Sequence, residues 1–154
     1  MNIRATVTVS DHISLLTLTG MLADPSLLTE LFDDIAARGV NIDMIARSPS
    51  AADLTDVSFT FGDADFAAAL EAVMALREHH PGVQSAVSGG NCKISVYSDD
   101  MRRTPGVAAG VFRLVAETGA DLRIITTSEV DVSVLVSAAS RDNLVDAVRQ
   151  KFEQ

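Results

Sequence analysis

Cysteine, positive charge and long apolar runs are scarce in this 154-residue sequence, and each scarcity excludes a class of protein. The single cysteine, Cys92, allows no disulfide within the chain and supplies too few thiolates for a zinc site. Twelve Lys and Arg residues stand against 21 Asp and Glu residues, which gives a net charge of −9. This sign disfavours nucleic acids and anionic membranes as partners, because both are bound through basic surfaces.

The hydrophobic residues are distributed as in an ordinary globular protein. They make up 47% of the chain, and no uninterrupted run approaches the roughly 20 residues that a membrane-spanning helix needs. Residues 1–11 alternate like a β-strand and lack the apolar segment of a signal peptide. The sequence therefore predicts a soluble, cytoplasmic protein.

Hydrophobic periodicity predicts mixed secondary structure in the first half of the chain. Two β-rich segments, residues 3–9 and 13–19, are separated by a predicted break at 10–12. A helix is predicted over 25–38, with Asp24 as its N-cap and Pro25 at its first position. The other predictions are strands at 40–45, 57–61 and 83–87, a break at Gly89-Gly90, and a helix at 64–78 with Phe66, Leu70, Val73 and Met74 facing inward.

The second half of the chain repeats this pattern. At an offset of 80 residues, positions 21–48 and 101–128 share seven identities, where chance would give about two. The identical pairs are Met21/Met101, Pro25/Pro105, Phe32/Phe112, Ala36/Ala116, Gly39/Gly119, Ile45/Ile125 and Ser48/Ser128. The predicted elements of this half are strands at 94–97, 122–126 and 130–136 and helices at 105–117 and 142–152. The chain is therefore internally duplicated.

The order of the predicted elements indicates the fold class. Each repeat has the order strand–helix–strand–strand–helix–strand of a ferredoxin-like unit. The second repeat lacks its last strand, whereas the strand at residues 3–9 is surplus to the first. Because an unpaired sheet edge is a liability, we expect residues 3–9 to complete the second sheet. The prediction is an α+β protein of two βαββαβ modules, with the first (11–90) nested inside the second (91–154 plus 1–10).

No group of residues in the sequence has the pattern of a catalytic or metal site. The turn at Gly89-Gly90-Asn91 precedes no helix, unlike a phosphate-binding loop. Cys92 begins an apolar strand, where an inert buried thiol is the common case. His79 and His80 sit at a predicted helix end without further ligands at metal-binding spacing. We therefore predict no catalytic residues, no metal and no cofactor.

Both repeats carry a loop that opens onto a helix and could hold an amino acid. Residues 21–24 and 99–104 precede helices that begin near Pro25 and Pro105, and free amides at a helix N-terminus bind carboxylates. The following strand starts, residues 41–43 and 121–123, offer acceptors for an α-amino group. These features describe a site for a free amino acid, and the alternative is a pair of well-capped turns.

Several segments resemble the paired ACT modules that form the regulatory region of aspartokinases. Residues 31–45 resemble the helix and second strand of the first module, and residues 104–109 and 124–134 resemble the signature of the second. The resemblance covers essentially the whole chain. It implies a homodimeric regulatory part that binds lysine or threonine and exerts feedback control on an aspartokinase catalytic domain or subunit, which lies outside this chain.

The resemblance and the loop pattern together select a set of candidate ligand-binding residues. They are Asp24, Pro25, Ser26, Leu27, Asn41, Ile42, Asp43, Arg47, Thr104, Gly106, Asp121, Ser128 and Glu129. Ala23, Ser26 and Arg47 depart from the family pattern around the first predicted pocket, and Asp121 stands where asparagine is usual. The missing acid at Ala23 argues against lysine there, whereas Arg47 offers a partner for a carboxylate.

Two other functions remain open at this point. The chain fits a stand-alone amino-acid sensor that acts on a different target protein. It also fits a structural dimerisation module whose pockets no longer bind a ligand, for which Ala23, Ser26 and Arg47 are the best evidence.

Overall fold

The computed structural model describes residues 3–153, and the chain divides into two compact units. The first unit is His12–Gly89, and the second unit combines Met1–Asp11 with Gly90–Gln154. No helix within the described range is long and apolar enough to span a membrane.

The first unit packs two helices against antiparallel strands. Its strand order is β2-β3-β1-β4, and β3 pairs antiparallel with both β2 and β1. The elements that contribute to it are β1 (Thr6–Leu22), α1 (Pro25–Ala37), β2 (Ile45–Pro49), β3 (Leu54–Gly62), α2 (Phe66–His79) and β4 (Gln84–Tyr97). Side chains such as Leu16, Leu31, Phe59 and Leu76 form its core.

The second unit has the same build and includes the beginning of the chain. Its strand order is β1-β4-β6-β5, and β6 pairs antiparallel with both β4 and β5. Besides parts of β1 and β4 it contains α3 (Val107–Glu117), β5 (Leu122–Thr127), β6 (Asp131–Val136) and α4 (Arg141–Phe152). Ile3, Ala5 and Val7 are buried in its core. The α+β class and the completion of this sheet by the N-terminal strand are thus confirmed.

The two long strands do not break where the sequence predicted. β1 continues through residues 10–12, with His12 at φ 58°, and β4 continues through Gly89-Gly90, with Gly90 at φ 68°. A single left-handed residue lets a strand bend without ending, as in a β-bulge. Turn-forming residues therefore marked a bend in each strand, and the prediction of a break was wrong at both places.

The buried face of α2 also differs from the prediction. Of the four side chains expected to face inward, only Val73 is buried, while Phe66 and Met74 are 37% and 58% exposed. Ala69, Ala72 and Leu76 complete the buried face instead. Small alanine side chains allow close packing of a helix, so the face with the largest residues need not be the buried one.

Candidate ligand-binding site

The loop that leads into α3 is held in place by side-chain hydrogen bonds. After β4 ends, the Ser98 hydroxyl donates to the Arg4 carbonyl at 2.9 Å and accepts the Asp100 amide at 3.3 Å. A short 3-10 helix, Asp99–Arg103, follows and delivers the chain to Thr104. The loop is therefore positioned by the buried side chain of Ser98, which directly follows the strand.

The N-terminus of α3 is open because its N-cap residue is a glycine. Gly106 has φ 96°, a left-handed conformation that side chains rarely adopt, and no side chain caps the helix. The Gly106 carbonyl accepts the Gly110 amide at 2.9 Å, so the regular helical bonds begin there. The amides of the first turn are left without a side-chain acceptor at the cap. Together with the helix dipole, they favour a bound anion.

A cleft of about 570 Å³ lies at this open helix end. This volume is within the usual range for small-molecule sites, roughly 300–1,000 Å³. One wall comes from the loop and the first turn of α3, and the other from the end of β5 and the turn into β6. The lining residues are Met101, Arg102, Thr104, Pro105, Gly106, Val107, Ala108, Thr127, Ser128, Glu129 and Val132.

The turn between β5 and β6 fixes the position of Ser128. The Ser128 amide donates to the Asp131 carbonyl at 2.9 Å, and the Ser128 hydroxyl oxygen accepts the Val130 amide at 3.2 Å. Because the hydroxyl oxygen is used as an acceptor within the turn, its proton can point away toward another acceptor. Ser128 thus offers the cleft a donor in a fixed position.

An ion pair between Arg102 and Glu129 lines the same cleft. The Arg102 guanidinium donates to the Glu129 carboxylate, and both side chains are more than half exposed. Solvent screening makes such a surface pair weak, so it opens at small cost. A ligand with one carboxylate and one ammonium group would find a partner of opposite charge for each.

The corresponding corner of the first unit is closed by its own side chain. The Asp24 carboxylate accepts the Ser26 amide at 2.9 Å, and this hydrogen bond lowers the pKa of Asp24 below its ordinary value. The Ala23 amide donates to the Asp53 carbonyl at 2.7 Å. The prediction of Asp24 as N-cap and Pro25 as first helical residue is confirmed. The two corners therefore share a sequence pattern but differ in which amides are already bonded.

The first unit has a more apolar cleft of about 440 Å³ beside this corner, where Leu22 and Leu27 lie next to the carboxyl end of α2. His79 and His80 stand beside it, and their ring nitrogens each lie 3.2 Å from one oxygen of Glu30. The hydrogen bond from His79, followed by that from His80, lowers the pKa of the Glu30 carboxyl. The histidine pair thus ties the end of α2 to α1. The full lining is Gly20, Leu22, Leu27, Leu54, His79, His80, Pro81, Gly82 and Val83.

The structure gathers four of the predicted second-unit residues and separates the fifth. Thr104, Gly106, Ser128 and Glu129 all line the 570 Å³ cleft. Asp121 precedes β5, roughly 20 Å along that strand from the cleft at 3.3 Å per residue. There its carboxylate pairs with Arg123 at 2.8 Å, and its amide donates a hydrogen bond to the Ser140 hydroxyl oxygen at 2.9 Å.

The predicted residues of the first unit are spread over three places. Asp24, Pro25 and Ser26 form the capped start of α1, where Leu27 is buried. Asn41, Ile42 and Asp43 precede β2, and the Asp43 amide donates to the Thr60 carbonyl at 3.0 Å. Arg47 is exposed in the middle of β2, opposite Val57. Of these residues only Leu27 lines a cleft described above.

Sequence reasoning missed one charged residue of the second-unit cleft. Arg102 faces Glu129 across the cleft, and it lies within the loop at 99–104 that was already predicted to open onto a helix. Arg102 lies beside Glu129 because of the turn of the 3-10 helix. The sequence pattern did not show this turn.

Comparison with known proteins supports a regulatory assignment. The ACT domain family matches residues 94–152. Aspartokinase from Bacillus sp. (strain MGA3) is 31% identical over 153 residues, which cover 96% of this chain and 36% of that protein. The chain thus spans about a third of the length of the curated relatives it matches.

Solved structures match over a similar range of this chain. The ligand-free regulatory subunit of aspartate kinase from Thermus thermophilus has a TM-score of 0.87 and 28% identity, covering 99% of this chain and 100% of that one. A structure of aspartokinase alpha and beta subunits matches with a TM-score of 0.83 and 27% identity, covering 97% of this chain and 99% of the matched one. The chain therefore contains an ACT domain at residues 94–152 and is similar, over nearly its whole length, to the regulatory subunit of aspartate kinase.

Proposed function

We propose that this chain senses a free amino acid and thereby regulates an aspartokinase catalytic domain or subunit. The observation that carries the proposal is the uncapped N-terminus of α3, which opens into a cleft with both charged and hydroxyl groups. The relatives that include this region are aspartokinases, and one matched structure contains alpha and beta subunits. The chain itself takes the regulatory role and performs no phosphoryl transfer.

The groups around the cleft suggest how a zwitterion would bind. The ligand carboxylate would accept hydrogen bonds from the amides of Val107 and Ala108, where the helix dipole is favourable. The ammonium group would pair with Glu129 after Arg102 swings away. The Thr104 and Ser128 hydroxyls would contact the remaining part of the ligand. Lysine and threonine are the candidates, since these are the effectors that the family resemblance implies.

Control of the catalytic part would follow from a shift in population. An amino acid that binds one arrangement of the regulatory region better than another favours that arrangement by the difference in binding free energy. We propose a cytoplasmic homodimer of two-module chains, with modules at 11–90 and 91–154 plus 1–10. Support comes from β2 and β5, which end the strand orders of their units and expose Ile45 and Ile125.

The candidate residues of the first unit have a place in this proposal. Asn41, Asp43 and Arg47 are exposed along or beside the edge strand β2. In a dimer, such residues would contribute to a site together with groups from a second copy. The capped corner at Asp24 would then serve mainly to position α1.

The proposal can be tested by isothermal titration of the chain with L-threonine and L-lysine, using D-threonine as the stereochemical control. Glu129→Gln removes the charge that would bind the ammonium group, and we expect at least about tenfold weaker binding, since charged hydrogen bonds contribute roughly 1.5–3 kcal/mol. Glu117→Gln, at the far end of α3, is the matched control and should bind like the wild type. Equal affinity of the Glu129 variant and the wild type would contradict the proposed site.

A purely structural dimerisation module is the second candidate function. The observation in its favour is the first-unit corner, where Asp24 already occupies the amide that a ligand would need. This function predicts that no amino acid raises the melting temperature, because only a ligand that binds the native state stabilises it. A dimer that persists in sedimentation without any such response would favour it.

A further inference from the structure

The outward side of α2 carries a row of apolar side chains, which we name the α2 ridge. It consists of Phe66, Leu70 and Met74, spaced four residues apart so that they follow one side of the helix. Phe66 is 37% exposed, Met74 is 58% exposed, and Leu70 is half-buried. Contiguous exposed apolar groups of this kind mark surfaces that other molecules cover.

The core of the first unit does not depend on this ridge. The buried face of α2 is made by Ala69, Ala72, Val73 and Leu76. Substituting polar residues at the ridge positions would leave the helix and its packing intact, because the exposed groups contribute little to the free energy of folding. The presence of large apolar residues there is better explained by a contact with a partner.

A small cleft lies at the carboxyl end of the ridge. It has a volume of about 300 Å³ and is lined by Met74, Arg77, Glu78 and Pro81. The Arg77 side chain is held in place by its hydrogen bond to the Val83 carbonyl at 2.9 Å. The cleft therefore has one wall held in place by Arg77, an apolar wall, and the exposed carboxylate of Glu78. These groups suit an anchoring side chain with an apolar stem and a cationic end.

The charge of the first unit indicates what kind of partner fits. Residues 12–89 contain three Lys and Arg against eleven Asp and Glu, a net charge of −8, so this unit carries nearly all of the −9 of the whole chain. Two copies that met through the α2 ridge would bring Glu71 and Glu78 of each α2 together, which disfavours self-association through this helix. A basic surface would instead be attracted to the acidic first unit, and contact between the two would cost little electrostatic free energy.

We propose that the α2 ridge docks an amphipathic helix of another protein, whose apolar stripe is flanked by lysine or arginine. The stripe would cover Phe66, Leu70 and Met74, and one basic side chain would enter the cleft beside Glu78. An amphipathic helix packs against another helix in this way, through apolar side chains at positions three and four apart. Because the ridge is small compared with a stable interface, we expect a dissociation constant on the order of 10–100 µM.

The test uses the full chain and three labelled 15-residue peptides in fluorescence anisotropy. The first peptide is helical with leucine on one face and lysine elsewhere, the second has glutamate in place of lysine, and the third is a scrambled version of the first. We expect binding of the first peptide only. Met74→Gln and Glu78→Gln should each weaken it at least about fivefold. The exposed Phe112 and Glu117 of α3 supply the matched controls Phe112→Gln and Glu117→Gln, which should bind normally.

Several outcomes would overturn the proposal. Equal binding of the scrambled peptide would show that only net charge is recognised, and equal binding by Met74→Gln would show that the ridge is not used. A change of oligomeric state in Met74→Gln, measured by sedimentation, would show that a second copy covers the ridge. Circular dichroism of each variant verifies that the fold is intact, and Phe66→Gln provides a second ridge variant if Met74→Gln is unstable.

Discussion

Replacing Ile3 and Val7 with alanine should selectively destabilise the second unit. Both side chains are only 7% exposed and lie in its core. Isoleucine to alanine in a core costs about 2–5 kcal/mol, and the two methyl groups lost from valine cost roughly 1.6 kcal/mol more. The pair shares one face of the strand, so the two effects need not add fully. We expect a loss of about 4–6 kcal/mol, comparable to the total stability of many domains.

The assay is urea unfolding followed by two signals. The chain has one tyrosine, Tyr97, and no tryptophan, so tyrosine fluorescence reports on the second unit alone. Circular dichroism reports on both units. In the double variant, the midpoint of the fluorescence transition should shift to a lower urea concentration. The circular dichroism transition should then extend to higher urea, because the first unit unfolds later.

Thr6→Ala with Thr8→Ala is the matched control, because both threonines are exposed on the opposite face of the same strand. Surface substitutions of this kind usually change stability by less than about 0.5 kcal/mol. If Ile3→Ala with Val7→Ala lost less than about 1 kcal/mol, well below the usual cost of core truncation, the N-terminal strand could not be part of the core.

Three further predictions concern single residues. Ala52 has φ 55°, so Ala52→Gly should raise the urea midpoint by relieving backbone strain, whereas Ala51→Gly should not. Burial, with help from the Asp11 carboxylate, raises the pKa of Cys92 to about 11, so a thiol reagent should label it at pH 8 only after unfolding. The pKa of Asp24 is lowered in the folded protein, so its capping contribution to stability is present at neutral pH and decreases as the pH falls below 3.8. Asp24→Ala should therefore lower the melting temperature more at pH 7 than at pH 3.

The duplication explains why most of the fold could be predicted from the sequence. The shared Pro25/Pro105 and Gly39/Gly119 pairs lie at or near the starts and ends of α1 and α3, and the surplus strand at the N-terminus pointed to its place in the second sheet. Local signals failed where backbone geometry overrode residue type. The left-handed His12 kept β1 continuous, although the residues around it favour a turn.

The candidate site could be predicted only in part, for a related physical reason. Thr104, Ser128 and Glu129 follow from the sequence signature, and they do meet at one cleft. The sequence indicated that Asp24 caps α1, but it placed the start of α3 at residue 105 and so did not show that Gly106 is the N-cap and leaves this helix end without a side-chain cap. Nor could the sequence show that Asp121 lies far from the cleft. The strand β5 begins beside Asp121, and its other end reaches the cleft.

The central claim is that the open end of α3 binds a free amino acid, and an NMR titration of the nitrogen-15-labelled chain tests it most directly. L-threonine and L-lysine would be added separately up to about 10 mM, a range that detects even millimolar dissociation constants. We predict that one of them produces saturable shifts of the Val107, Ala108 and Ser128 amides, while the Ser26 amide, already bonded to Asp24, stays unchanged. Spectra that do not change at the start of α3 with either amino acid would contradict the account.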